Sequence, residues 1–110
     1  MISDLLSKKC EACESSAGKI DPDATGEYLK QVPGWQLEGA QLVRTFNFKN
    51  YFEAMAFVNA TAWISHRSDH HPDMEVGYNK VTMHYSTHKV GGLTENDFIC
   101  AAKVNELLNL

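Results

Sequence analysis

Between Lys80 and His88 the chain alternates, with Val81, Met83, Tyr85 and Thr87 on one face and Thr82, His84, Ser86 and His88 on the other. That period of two predicts a strand with one protected side. Leu42 to Phe48 alternates in the same way, and Trp35 to Glu38 forms a shorter run before it, with Glu38-Gly39-Ala40-Gln41 as a hairpin turn. Met74 to Tyr78 completes a second strand pair. The period changes between the pairs. From Tyr51 to about Arg67, with Asn50 as its cap, Tyr51, Ala54, Met55, Val58 and Ala62 recur at helical spacing. Phe52, Phe57, Trp63 and Ile64 lie off that stripe, so the helix is apolar around much of its circumference, which fits either a broad core or a subunit partner. A shorter helix is expected from Asp23 to Val32, closed by Pro33-Gly34. A last one opens at Thr94, where Thr94-Glu95-Asn96-Asp97 resembles a capping box, and runs to about Leu108.

The order is helix-strand-strand-helix-strand-strand-helix. Strands grouped as hairpins predict an α+β fold, a four-stranded antiparallel sheet with three helices packed on one side. Residues 1 to 22 are polar and small, with Ser15, Ser16, Gly18 and Pro22 breaking any periodicity, and read as an N-terminal extension ahead of a domain spanning 23 to 110.

Charge and composition narrow the partners. The net charge of −4, with no basic run, argues against nucleic acid. No stretch nears the ~18 apolar residues of a membrane span, and the start lacks the apolar core of a signal peptide, so a cytoplasmic protein is expected. The 3 cysteines make no disulfide framework. Cys10 and Cys13 form a lone Cys-x-x-Cys, a spacing that suits zinc or a redox dithiol; zinc would need two further ligands, which a symmetric dimer could pool. Cys100, among apolar neighbours, reads as a buried thiol.

All 5 histidines fall between positions 66 and 88, as His66, His70, His71, His84 and His88. Histidine gives and takes protons near neutrality, so several around one pocket suit general acid/base chemistry. The bland alternatives are solvated surface histidines and, for His84, a strand-face filler. Metal binding favours rings aimed at one point, whereas His70 and His71 are adjacent and precede a proline that favours extended backbone. Their side chains should diverge, better placed to grip two parts of a flat substrate. Asp97 has two readings, a helix-cap acceptor or the orienting carboxylate of a histidine.

Asp69-His70-His71-Pro72, Tyr78-Asn79-Lys80-Val81, Ser86-Thr87-His88, and Gly92-Leu93-Thr94 with Asp97 resemble the signature of the pterin-4a-carbinolamine dehydratases, in order and spacing. Gly34-Trp35 and Phe46-Asn47-Phe48-Lys49 extend the resemblance over about residues 23 to 108. It implies an enzyme that dehydrates 4a-hydroxytetrahydrobiopterin to quinonoid dihydropterin in tetrahydrobiopterin recycling, with no metal, nucleotide or redox cofactor. His70 and His88 would be the main acid/base groups, His71 would position the pterin or share the base role, and Asp97 would orient His88. Asp69, Ser86, Thr87 and Lys89 would line the pterin site, with His66 beside them at a position where the family commonly has an acidic residue. Met74 and Val76-Gly77 also depart from the pattern and bear on substrate preference. The family fold, a four-stranded antiparallel sheet with three helices assembling as dimers or tetramers, agrees with the order read above. The polar extension resembles that of bacterial members associated with phenylalanine hydroxylase, which suggests a functional link to an aromatic amino-acid hydroxylase. Two rivals stand beside the enzyme: a non-catalytic dimerisation or stabilising partner with the same fold, and a metal-binding regulator using the histidines with Cys10 and Cys13.

Overall fold

A computed structural model describes residues 4–10 and 18–109. Cys13, Ser15 and Ser16 lie outside them, and with Cys13 goes half of the Cys-x-x-Cys pair. Helix α1 spans Thr25–Leu29, β1 Gln36–Glu38, β2 Gln41–Asn47, α2 Tyr51–Ser68, β3 Asp73–Val76, β4 Lys80–Tyr85 and α3 Glu95–Leu107. The strands form one antiparallel sheet in the order β1-β2-β4-β3, so the two hairpins meet along β2 and β4. In that pairing Leu42 faces Tyr85, Arg44 faces Met83 and Phe46 faces Val81.

The face carrying these residues packs under the helices. Leu42, Phe46, Val81, Met83 and Tyr85 form one core with Ala54 and Phe57 of α2 and Phe98, Ile99, Ala101 and Val104 of α3. Arg44 belongs to the same face and would be costly to bury alone. Its guanidinium instead donates to the Pro33 carbonyl at 2.9 Å and Asn105 Oδ1 at 2.6 Å, and lies 4.5 Å from the Phe46 ring centre. Gly34, at φ 89, makes room for it: a Cβ there would stand 2.6 Å from Arg44 Cζ.

Three local expectations change. The first helix is shorter than Asp23 to Val32, because Pro22 opens it as a 3-10 turn and the bonds Gln31 N to Tyr28 O and Val32 N to Leu29 O tighten its end. The buried stripe of α2 is also rotated from the expected one. Ala54, Phe57 and Thr61 are buried, whereas Tyr51 and Ala62 are exposed. Thr61 hides in this stripe because its hydroxyl donates to the Val58 carbonyl at 2.8 Å, a local bond that hydropathy does not register. Phe57 and Ile64 therefore pack within the chain, while Phe52 at 79% and Trp63 at 63% exposure remain outside, eleven residues and three helical turns apart on one line.

The third change is at the N-terminus, where the segment expected to precede the domain is packed onto it. Leu5 is fully buried in the core, its N–H donates to Gln31 Oε1 at 2.9 Å, and Lys8 Nζ meets Glu95 Oε1 at 2.8 Å. Two adjacent leucines in a mostly polar stretch carry no periodicity, so only the tertiary fold reveals that Leu5 is the buried one and Leu6 the exposed one. Farther along, Ile20 N–H donates to the Leu93 carbonyl at 2.8 Å. Among the described residues no helix is long and apolar enough to cross a membrane.

Candidate active site

Two loops meet at the start of α3. The first leaves α2 through Asp69, whose φ of 51 and ψ of 41 place it in the left-handed region that Asp tolerates better than most side chains. This reversal lets the Asp69 and His70 N–H groups both donate to the Ser65 carbonyl and sends the next residues back across the core. His70 and His71 then diverge. The His70 side chain is 13% exposed and its ring stacks on Tyr85, with centroids 5.8 Å apart and planes 13° apart. His71 is exposed, with Nδ1 3.3 Å from the Pro72 carbonyl, and Pro72 is buried.

The second loop follows β4. Thr87 and Gly92 close it by paired backbone hydrogen bonds, and His88, Lys89 and Val90 form a 3-10 turn that ends at Gly91 in the left-handed region. Thr87 is buried and His88 and Lys89 are exposed.

Asp97 joins the two loops and occupies both of the roles the sequence allows it. It is fully buried. Its Oδ2 accepts from the Thr94 N–H at 2.9 Å, completing the capping box, and from the Thr87 hydroxyl at 2.8 Å. Its Oδ1 lies 2.6 Å from His70 Nε2. The expected pairing of Asp97 with His88 is thus corrected: the carboxylate holds His70, because the left-handed turn at Asp69 swings that ring under the helix start. Thr87, expected as a pterin contact, spends its hydroxyl on Asp97 and on Thr94 Oγ1 at 2.9 Å.

Burial by itself would keep the His70 ring neutral, but the Asp97 hydrogen bond and charge outweigh it, with help from Cys10 and Asp69, and its pKa is raised above the ordinary histidine value. A neutral His70 that donates Nε2–H to Asp97 keeps a lone pair on Nδ1; the imidazolium carries a proton there instead. The arrangement can therefore take or give a proton at Nδ1 while the carboxylate fixes the ring.

The other histidines stand apart from this network. His84, on the open face of the sheet, is held between Gln41 Oε1 at 3.1 Å and Glu75 Oε2 at 2.6 Å. His66 is exposed on the last turn of α2, its ring 5.4 Å from that of Trp63. Asp69 is exposed and Ser86 half-buried. Among the described residues no three His, Cys, Asp or Glu side chains group as metal ligands would. A cavity of about 610 Å³ between the N-terminal segment and the start of α3, lined by Lys8, Lys19, Tyr28, Glu95 and Ile99 among others, contains none of the histidines.

Sequence reasoning missed Tyr85 as the platform under His70, although the alternation of β4 already turns it toward the helices. It named Cys10 only with Cys13 and missed its approach to Cys100, since no local pattern places Cys10 beside α3.

A family model described as pterin 4 alpha carbinolamine dehydratase matches residues 18–107. The chain belongs to that family. A relative in Nitrosomonas eutropha, named "Putative pterin-4-alpha-carbinolamine dehydratase", is 55% identical over 97% of this chain and 96% of its own length. A relative of the same name in Nitrosospira multiformis is 50% identical over 99% and 96%. Among solved structures, a transcriptional coactivator/pterin dehydratase from Brucella melitensis superposes with a TM-score of 0.78 at 32% identity, over 82% of this chain and 98% of the other. A pterin dehydratase-like protein described as a RuBisCO assembly factor in the alpha-carboxysome matches with a TM-score of 0.55 at 27% identity, over 66% and 84%. The pterin dehydratase family thus accounts for the sheet order and helices, and its names point to a pterin as substrate.

Proposed function

We propose that this chain dehydrates 4a-hydroxytetrahydrobiopterin to the quinonoid dihydropterin by histidine general acid/base catalysis. The observation that carries the proposal is the 2.6 Å contact of His70 Nε2 with the buried Asp97 carboxylate, in a loop joined to the His88 loop through Thr87. In the reaction the N5 lone pair expels the C4a hydroxyl while an imidazolium protonates the departing oxygen. A neutral imidazole then takes the N5 proton, so water leaves and the ring system gains the quinonoid double bond.

The raised pKa of His70 suits it to the donor role. His88, exposed at the tip of the second loop, takes the complementary role, and His71 positions the pterin or shares the base role. Asp69, Ser86 and Lys89 line the substrate site, with His66 at its margin, and Thr87 acts through Asp97. No metal or cofactor enters the scheme. The setting is tetrahydrobiopterin recycling in the cytoplasm beside an aromatic amino-acid hydroxylase.

We also propose a homodimer or homotetramer, on the strength of the exposed Phe52 and Trp63 along α2. Sedimentation at micromolar concentration is expected to show a dimer or larger species, and Phe52→Ser with Trp63→Ser is expected to weaken it. A clean wild-type monomer would contradict this.

A second reading has one observation in its favour. The relative described as a RuBisCO assembly factor shows that a pterin dehydratase-like chain can serve as an assembly partner. Turnover separates the two. Chelator-treated protein is expected to accelerate loss of the 4a-hydroxyl over buffer, and folded protein that matches buffer would pass the chain to the partner reading.

A further inference from the structure

We propose that Cys10 and Cys100 form a redox-sensitive dithiol, a site of reversible disulfide formation that fastens the N-terminal segment to α3 beside His70. Their sulfurs lie 3.7 Å apart and neither is in a disulfide. A disulfide bond is ~2.05 Å long, so small side-chain and segment movements close the gap. The approach is built into the fold, because burial of Leu5 and the pairing of Lys8 with Glu95 hold the segment against α3 just before Cys10. The pair also borders the candidate active site: Cys100 Sγ lies 4.0 Å from the His70 carbonyl.

The two thiols are unequal in the way that such chemistry needs. Cys10 is half-exposed and Cys100 buried. The hydrogen bond from Cys100 outweighs burial and, with the nearby charges of His70 and Lys103 and a bond from Ser68, pushes the Cys10 thiol down to about 7. Cys100 moves up, through the same hydrogen bond and its burial. Cys10 is thus the attacking thiolate and Cys100 the resolving thiol. With a hydroperoxide as oxidant, the Cys10 sulfur takes the terminal oxygen as the O–O bond breaks, giving a sulfenic acid and, from hydrogen peroxide, hydroxide. Cys100 then attacks that sulfur, the S–S bond forms and hydroxide departs, while the Cys100 proton completes a water. Two electrons pass from the two sulfurs to the peroxide, and a dithiol reductant reverses the change by exchange.

Oxidation also removes a negative charge from the surroundings of His70. The groups facing that ring are Asp97 from α3, Cys10 from the N-terminal segment, Asp69 from its own loop and the stacked Tyr85 from β4. Loss of the Cys10 thiolate takes away one of the three negative groups that favour the imidazolium. His70 then gives up its proton at lower pH. The consequence for turnover rests on the dehydratase reading, whereas the cross-link and the titration do not.

The test uses the full chain, reduced and then exposed to hydrogen peroxide, alkylated and digested with trypsin and a glutamyl endopeptidase. Cleavage after Lys9 and Glu11 separates Cys10 from Cys13. The expected product is the Cys10-Glu11 peptide disulfide-linked to the peptide holding Cys100. A link from Cys10 to Cys13, or no link to Cys100, overturns the proposal. The His70 ring proton, followed by NMR against pH, is expected to titrate lower in oxidised than in reduced protein. Reduced Cys10→Ser should also titrate lower and should not respond to peroxide. A cross-linked protein whose His70 titration does not move would overturn the coupling. Neither readout needs turnover, so failure here is distinguishable from failure of the dehydratase assignment.

Discussion

Asp97→Ala is expected to be the most destabilising single substitution in the candidate site. The carboxylate caps α3, receives the Thr87 hydroxyl and holds His70, all while fully buried. Loss of a helix cap costs ~1 kcal/mol, and stranding buried partners of a charged group adds roughly 1–3 more, for about 3 kcal/mol in all. In a domain of this size that lowers the thermal midpoint by roughly 10 °C or more. Asp97→Asn keeps an oxygen acceptor for the Thr94 N–H and should lose about half as much. The effect depends on pH with a definite sign. His70 has a raised pKa in the folded state, so its pairing stabilises fully below the unfolded value near 6.5 and fades as pH rises through the folded value. The deficit of Asp97→Ala should therefore be largest at about pH 6 and shrink toward alkaline pH. A deficit that stays constant over that window would leave Asp97 as a helix cap alone.

His70→Ala, His71→Ala and His88→Ala are each expected to lower turnover by at least ~10-fold, a low bound because positioned proton transfer typically contributes ~10²- to 10⁴-fold and the uncatalysed dehydration is appreciable. His70→Ala should be the most severe of the three, since it removes the ring held by the buried Asp97 carboxylate. His84→Ala should stay within about 2-fold, because that ring is tied to Gln41 and Glu75 on the open sheet face, and helices cover the opposite face, which bears Tyr85. Steady-state rates beside thermal midpoints check both statements. A His84→Ala defect equal to that of His88→Ala would move the site elsewhere. Asp97→Asn should lower the rate of dehydration together with the pH at which His70 titrates, a pairing that a purely structural role would not produce.

The sheet was legible because its signals are local. Alternation in β4 gives the inward set Val81, Met83 and Tyr85, and Gly39 marks the hairpin where Glu38 pairs with Gln41. The capping box was legible for the same reason, four consecutive residues with their chemistry in register. What could not be read depends on contacts between distant segments. The choice of Asp97 between His70 and His88 turns on the backbone reversal at Asp69, which leaves no sign in the hydropathy pattern. The rotation of the α2 stripe depends on Thr61 satisfying its own hydroxyl within the helix. Lys8 and Cys10 reach Glu95 and Cys100 of α3 across about ninety residues of chain, and Leu5 reaches Gln31 across 26, so none of these partners could be inferred from neighbours in sequence. The resemblance proposed the histidine set and paired the carboxylate with His88, whereas the fold sets Asp97 against His70.

If the chain is a working pterin dehydratase, the His70–Asp97 pair must matter to turnover. The most direct measurement is the rate at which the 4a-hydroxyl leaves a freshly generated tetrahydropterin carbinolamine, with chelator-treated wild-type protein, folded His70→Ala protein and buffer compared side by side. Wild type is expected to outpace buffer clearly without added metal, and His70→Ala to fall at least ~10-fold short of wild type. Wild-type protein no faster than buffer, or His70→Ala as fast as wild type, would contradict this.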